Sequence, residues 1–363
     1  MTAEDWHDAA IAGAIDRVRA IARTVTDFPH ITEDRQWQLT PDGVWTGGFW
    51  AGLLWLAHER ERDPASRERA LYFTDRLLPR SADTSNHDLG FMFVPSAVKA
   101  WQLTGDMRYH RAALAAARSL AAQHNRAAGY IPGWGFFGKE DWSGNVLIDT
   151  LMNMPLLVWA AQQSGEAALL DVALSHTATT LAHHFRDDGS VYHVYKFDPA
   201  TGAPIGGDTY QGFAADSAWS RGQAWAITGL AILGAMLGDK SYIAASERAA
   251  AYFLAQLPPD GVPPWDFLAP GPDQPKDASA GAIASYGLQR LFDVTGHRPH
   301  LEAATMLLQS LAQSCANAGD EGGLLLHATA DLPHGRGIDE STMYGDYYYL
   351  KSLLRLSRRR RDG

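Results

Sequence analysis

Apolar residues recur at intervals of three and four along most of the chain, the pattern of helices with one buried face. Ile11, Ile15, Val18, Ile21 and Val25 mark the first. The same periodicity predicts helices over 47–60, 66–80, 89–104, 107–125, 146–164, 167–186, 220–237, 240–257, 278–295, 299–318 and 342–358. Only two stretches read as strand. One is Val191 to Phe197, followed by a turn at Pro199-Ala200-Thr201-Gly202, and the other is Leu324 to His327.

The polar positions that interrupt this pattern form a repeat. Gly105-Asp106, Gly165-Glu166, Gly238-Asp239 and Gly296-His297 each separate two long helical segments. A glycine past the last helical residue ends a helix in the left-handed conformation, and the polar residue after it can open the next. The glycines recur about every 60 to 70 residues, the length of a helical hairpin plus a loop. The expected fold is therefore all-α: an (α/α)6 barrel of six helical hairpins, with a small β-hairpin on one rim, in a single domain covering 1–363. The Pro-rich stretch from Pro258 to Pro275 interrupts the repeat without ending it. Short glycine turns lie at one end of such a barrel. The long connections lie at the other, and they hold His87-Asp88, Trp142 to Asp149, Trp219 to Arg221 and Asp277. These segments should converge on one rim, at helix N-termini whose free N–H groups and positive dipole ends suit an anion.

Two aspartates stand out there. Asp88 in His87-Asp88-Leu89-Gly90-Phe91 and Asp149 in Leu147-Ile148-Asp149-Thr150-Leu151 each sit where an apolar helical pattern begins. An acid in apolar company is costly unless paired or hydrogen-bonded, and two such acids suggest a carboxylate pair for acid–base chemistry. The competing reading is that each is an N-cap. His87 and His193 are candidate donors to a substrate, against the commoner role of a satisfied structural histidine. Arg221 in Trp219-Ser220-Arg221-Gly222-Gln223-Ala224-Trp225 could hold a carboxylate with two parallel hydrogen bonds, against a plain ion pair. Trp45, Trp142 and Trp219 are candidate sugar platforms, while Trp50, Trp55 and Trp159 fall on helical stripes and read as core. No close His/Cys/Asp spacing suggests a metal, and no dinucleotide or Walker motif suggests a nucleotide, so no metal and no cofactor are expected. Gly335-Arg336-Gly337-Ile338-Asp339 lacks the flanks of a phosphate loop. Ser341-Thr342-Met343-Tyr344-Gly345-Asp346 reads as a loop entering the last inner helix at the same rim.

Charge narrows the partners. A net charge of −10 argues against nucleic acid and anionic membrane surfaces, and means an anionic substrate needs a local positive site. The single cysteine, Cys315, cannot form an internal disulfide and reads as a buried small residue. No basic and apolar leader opens the chain and no uncharged run reaches membrane-spanning length, so a cytoplasmic protein without a membrane partner is expected, as a monomer or weak homo-oligomer. The run Arg358 to Arg361 reads as a solvated, partly disordered tail.

His87-Asp88-Leu89-Gly90-Phe91, Ile148-Asp149-Thr150-Leu151-Met152-Asn153, the stretch from Gln211 through Asp216-Ser217-Ala218-Trp219-Ser220-Arg221-Gly222-Gln223-Ala224-Trp225, and Tyr344-Gly345-Asp346-Tyr347 resemble the unsaturated glucuronyl hydrolases of glycoside hydrolase family 88. The resemblance runs from Trp45-Thr46-Gly47-Gly48-Phe49-Trp50 to the last helix and agrees with the barrel. It implies removal of a 4,5-unsaturated uronic acid from the non-reducing end of lyase-generated oligosaccharides, by hydration of the C4=C5 vinyl ether rather than by ordinary glycosidic displacement. By motif, Asp149 would protonate C4 and then deprotonate the water adding at C5, with Asp88 assisting. His193, Gln211 and Arg221 would lie near the uronate, Trp142 and Trp219 would be pocket residues, His87 would flank the site and Trp45 would form a further wall. The neighbouring family acting on unsaturated rhamnogalacturonan fragments, and a barrel epimerase with essential histidines, are the alternatives.

Overall fold

The computed structural model describes residues 5–133 and 141–362. Among these residues, twelve helical segments alternate between an inner and an outer ring. They are α1 (Asp5–Thr24), α2 (Gly47–Glu61), α3 (Pro64–Leu77), α4 (Leu89–Phe93, continued by a π-helical stretch Val94–Val98 into Lys99–Thr104), α5 (Met107–Ala122), α6 (Met154–Ser164), α7 (Ala167–His183), α8 (Ser220–Leu237), α9 (Lys240–Ala255), α10 (Ala278–Thr295), α11 (Arg298–Ser314) and α12 (Met343–Asp362). The even-numbered helices pack side by side in a closed ring, and each odd-numbered helix packs outside it. The last inner helix, α12, takes α1 as its outer partner, so the first and last segments of the chain close the (α/α)6 barrel.

The glycine signal behaves as its chemistry requires. Gly105, Gly165, Gly238 and Gly296 take φ of 73°, 76°, 68° and 68°, and each C-caps its inner helix. Asp106 and Asp239 then cap the following outer helix through their side chains. The first hairpin has no glycine to announce it: Arg62 adopts φ 56° at the turn, and Asp63 caps α3 by accepting from Ala65 and Ser66 N–H. Inner helices are nearly all apolar or small, α8 and α10 being buried from their first residues. One buried apolar cluster runs from Trp6 on α1 to Leu356 on α12 and includes Trp50 and Trp55, with Trp159 packed against its edge. Cys315 lies in the same cluster, its thiol pushed up to about 12 by burial.

The β structure differs from expectation. A hairpin of β1 (Phe28–Glu33) and β2 (Gln36–Thr40), with its tight turn at Asp34 and Arg35 in positive φ, precedes α2. Its apolar residues do not alternate strictly, which hid it from periodicity. β3 (Asn145–Leu147), β4 (Val194–Phe197) and β5 (Pro204–Asp208) form a three-stranded antiparallel sheet in place of the single expected hairpin. The segment predicted as helix from 146 thus begins as a strand and a 3₁₀ turn, Ile148–Met152. Leu324 to His327 is not a strand; Leu325 makes one isolated bridge to Ala316. The arginine run is helical through Asp362 rather than a loose tail, with Arg358 and Arg359 paired to Glu59 and Asp293.

Candidate active site

Because every inner helix starts at the same rim, the residues at their N-termini meet. Asp88 precedes α4, Asp149 lies in the 3₁₀ turn before α6, Trp219 and Arg221 open α8, Asp277 caps α10 and Tyr344 opens α12. All but Asp277, which stands behind Arg221, line a cavity of about 750 Å³, also walled by Trp45, His87, Phe91, Gln211 and Trp225.

Neither key aspartate caps a helix. Asp88 occupies an N-cap position but its side chain makes no capping hydrogen bond, and Asp149 sits inside its turn. Instead Asn153 joins them: its Nδ2 donates to Asp88 Oδ1 at 3.1 Å while its Oδ1 accepts from Phe91 N–H at 2.9 Å. Gly90 permits this. A Cβ there would meet Asn153 Cα at 2.4 Å, so the segment bearing Asp88 and the turn bearing Asp149 touch only while residue 90 has no side chain. Gly90→Ala should push them apart, costing about 1–3 kcal/mol and most of the turnover. Denaturant unfolding and activity measured together check this; unchanged values would show that the two segments have room to separate.

His87 Nε2 stands between the carboxylates, 3.4 Å from Asp88 Oδ1 and 3.7 Å from Asp149 Oδ1. Burial, and then the charge of Asp149, lift Asp88 to about 6, against the opposing pull of His87 and the Asn153 donor. Asp149 Oδ1 has no hydrogen-bond partner. The pair therefore combines a carboxyl that holds its proton toward neutral pH with an oxygen free to engage a substrate or water. His87, Asp88 and Asp149 also place ligand atoms within 4.8 Å of one another, a span that a divalent cation could bridge.

Arg221 lines the cavity, as a uronate ligand should, but its charge is already met. Its side chain is 1% exposed, pairs with the fully buried Asp277 and donates to Thr329 O at 2.8 Å and to Ala330 O. The guanidinium lies 4.5 Å from the Trp219 ring and 5.0 Å from that of Tyr344. It therefore brings N–H donors and a rigid floor, not net charge. Gln211, on the loop after β5, donates to the same Ala330 carbonyl at 2.7 Å. Trp45 stacks on Tyr344 at 5.1 Å and 21°.

His193 and Trp142 stand one layer back. The His193 ring lies 4.3 Å from Trp219, and its Nδ1 accepts from the N–H groups of Tyr210 and Gln211, both at 3.2 Å. That leaves the proton on Nε2, which has no partner. Burial holds this imidazole neutral, at about 4. Trp142 packs edge-on against Tyr210 at 5.4 Å.

Four polar residues lining the cavity are not singled out as site residues by the sequence. His30 comes from the unpredicted hairpin, Tyr210 from the loop after β5, and Asp331 and Arg336 from the 330–342 connection. Arg336 lines the cavity and forms no ion pair among the described residues, so its positive charge is not met as that of Arg221 is. A fifth residue braces the site without lining it. Buried Asp266 accepts from Phe213 N–H at 2.9 Å, Ser217 Oγ at 2.6 Å and Leu268 N–H at 2.9 Å, fixing the loop that delivers Trp219. No spacing in the sequence announces it, because its partners are backbone groups.

With this geometry in hand, comparison with known proteins gives a consistent picture. Residues 15–290 match Glycosyl Hydrolase Family 88. The chain is 39% identical over 342 residues to an "Unsaturated chondroitin disaccharide hydrolase" of Streptococcus pyogenes serotype M1, covering 91% of this chain and 85% of that protein. It superposes on the crystal structure of an unsaturated glucuronyl hydrolase from Bacillus sp. GL1, responsible for the degradation of glycosaminoglycan, with a TM-score of 0.93, 34% identity and 97% of each chain covered. A further solved structure, described with dGlcA-Glc-Rha-Glc, matches equally, with a TM-score of 0.93 and 34% identity over 97% of each chain.

Proposed function

The chain belongs to glycoside hydrolase family 88, and from that premise we propose that its rim aspartates remove a 4,5-unsaturated glucuronic acid from the non-reducing end of lyase-generated oligosaccharides. The observation that carries the residue assignment is the pairing of buried Asp88 with partly exposed Asp149, with His87 between them and an Asp149 oxygen at the cavity that has no hydrogen-bond partner. In the proposed reaction the Asp149 carboxyl gives its proton to C4 of the vinyl ether, and positive charge develops at C5 and the ring oxygen. The carboxylates stabilise that charge. Asp149, now ionised, takes a proton from the water that adds at C5, which restores its starting state. The resulting hemiketal opens and releases the aglycone from C1. Asp88 holds sugar hydroxyls, with His87 between the two carboxyls. His193 offers its Nε2–H toward the same centre. Trp219 and Trp45 form apolar walls, with Trp142 behind Tyr210. Gln211 and Arg221 shape the floor and offer donors to the uronate, whose charge Arg336 balances.

The test follows ultraviolet absorbance with unsaturated disaccharides, since the conjugated double bond absorbs and its hydration product does not. Chondroitin-derived disaccharides come first, given the streptococcal relative's name. Loss of absorbance with release of the second sugar supports the reading; persistent absorbance from folded protein across glucuronyl substrates overturns it. The rhamnogalacturonyl alternative predicts activity only on the other disaccharide type. Such oligosaccharides would reach the enzyme in the cytoplasm after import; no described helix is long and apolar enough to cross a membrane.

Two further outcomes follow. A mechanism of proton transfer alone predicts that exhaustive dialysis against a chelator leaves activity intact; a loss restored by a divalent cation would make His87, Asp88 and Asp149 metal ligands. Asp88 titrates near 3.9 in an unfolded chain and at about 6 here. Its stabilising contribution is thus present below about pH 4 and lost as pH rises through about 6. Asp88→Asn removes that loss, because the amide can still accept from Asn153. The variant should unfold with roughly 1–3 kcal/mol more stability than the parent at pH 8, and with little difference at pH 4. Equal pH dependence of the two melting curves would show that Asp88 is not strained by its burial.

A further inference from the structure

The opposite end of the barrel, where the inner helices finish, holds a second cavity, of about 710 Å³, with a different character. Its floor is apolar, from Leu56 and Leu354, and its walls carry Lys99, Lys351, Arg355, Arg358 and Arg359. Arg290 stands beside them. Among the described residues, two carboxylates pair with these six cations. Glu59 pairs with Lys99 at 2.7 Å and with Arg358 at 3.9 Å. Asp293 is shared among Arg290, Arg355 and Arg359. The excess of four positive charges stands against a chain whose net charge is −10.

Three features separate this cluster from ordinary neutralisation of helix C-termini. Lys351 lies about three turns before the end of α12, beyond the reach of a terminal dipole. No carboxylate pairs with it among the described residues; its ammonium sits 4.3 Å from the Tyr286 ring and 4.9 Å from that of Tyr347. The Nε donors of Arg290, Arg355 and Arg359 are buried without a hydrogen-bond partner. Such a donor out of water costs free energy until an acceptor is supplied. Finally, burial alone would raise the Tyr286 hydroxyl, yet the charges of Lys351, Arg290 and Lys99 bring it below the ordinary tyrosine value, which reports the positive field inside the cavity.

We propose that this cavity is a binding site for a small multivalent oxyanion, a phosphate or sulfate group or its ester, at the end of the barrel away from the aspartates. Its oxygens would accept from the Arg355 and Arg359 guanidinium edges, a charge-assisted geometry that arginine favours. Lys351 would supply the point charge beneath.

Calorimetric titration at fixed ionic strength tests the site, with inorganic pyrophosphate, phosphate and sulfate as separate probes. Saturable binding at one site per chain is expected, weakened about tenfold or more in Arg355→Met and again in Lys351→Met. Turnover of unsaturated disaccharide should be unchanged in Arg355→Met, which also serves as the control for folding because Arg355 is partly exposed. Pyrophosphate binding above sulfate would point to a phosphorylated ligand, and the reverse order to a sulfated one. Three outcomes overturn the proposal: flat titrations with all three anions, affinity unmoved in Arg355→Met, or displacement of the probe by a disaccharide bound at the aspartate rim.

Discussion

Asp149→Asn is expected to fold normally and to lose about 10²–10⁴-fold in turnover, the usual cost of removing a positioned proton donor. The structure explains why both halves should hold. Asp149 Oδ1 makes no hydrogen bond to the protein, and the residue caps no helix, so the amide breaks no network. The substitution also removes a negative charge beside Asp88, but His87, 3.7 Å away, can still face Asp88. The amide cannot, however, give a proton to C4 or take one from water. Absorbance loss with unsaturated disaccharide measures turnover, and a thermal melt measures folding. Near-normal turnover from a folded variant would remove Asp149 from the chemistry and return attention to histidine-based catalysis.

Arg221→Ala carries the largest expected effect on stability, about 3–5 kcal/mol, because it strands a buried carboxylate. Asp277 is fully buried and would keep only the Ser279 hydroxyl and N–H as donors. The Thr329 carbonyl would lose its Arg221 donor and the Ala330 carbonyl would keep only Gln211, loosening the 330–342 connection that brings Asp331 and Arg336 to the cavity. The variant should therefore show a lowered denaturant midpoint together with weakened substrate binding. The double variant Arg221→Ala with Asp277→Ala should recover part of the stability, since no charge is then left alone, but not the binding. If Arg221→Ala weakens binding with no loss of stability, its pairing with Asp277 contributes nothing and the guanidinium is simply a substrate ligand.

How much of this was legible varies by residue, for physical reasons. The rim location of Asp88, Asp149, Trp219 and Arg221 was readable, because it follows from where inner helices begin. That Asp88 and Asp149 are not caps was not readable, since a helix-opening aspartate looks the same whether its oxygens face the backbone N–H groups or a cavity. Asn153 and Gly90 sit in the motifs, but their joint task of holding the two acids together exists only once α4 and the turn before α6 touch. Arg221 was placed correctly, whereas its partner Asp277 lies 56 residues away on another helix, a pairing no local pattern encodes. His30 is hidden because β1 lacks clean alternation, and Arg336 because nothing in a Gly-Arg-Gly run shows that its side chain faces the cavity.

The sequence by itself determined the helical periodicity, the glycine turns and hence the barrel, because these depend on near neighbours: side chains three and four apart share a face, and a left-handed residue ends a helix wherever it stands. The motifs likewise determined which acids belong at the rim. The tertiary structure alone decided the electrical state of the site. Whether a carboxyl keeps its proton or an arginine its free charge depends on burial and on partners distant in the chain, and only closure of the inner ring sets both.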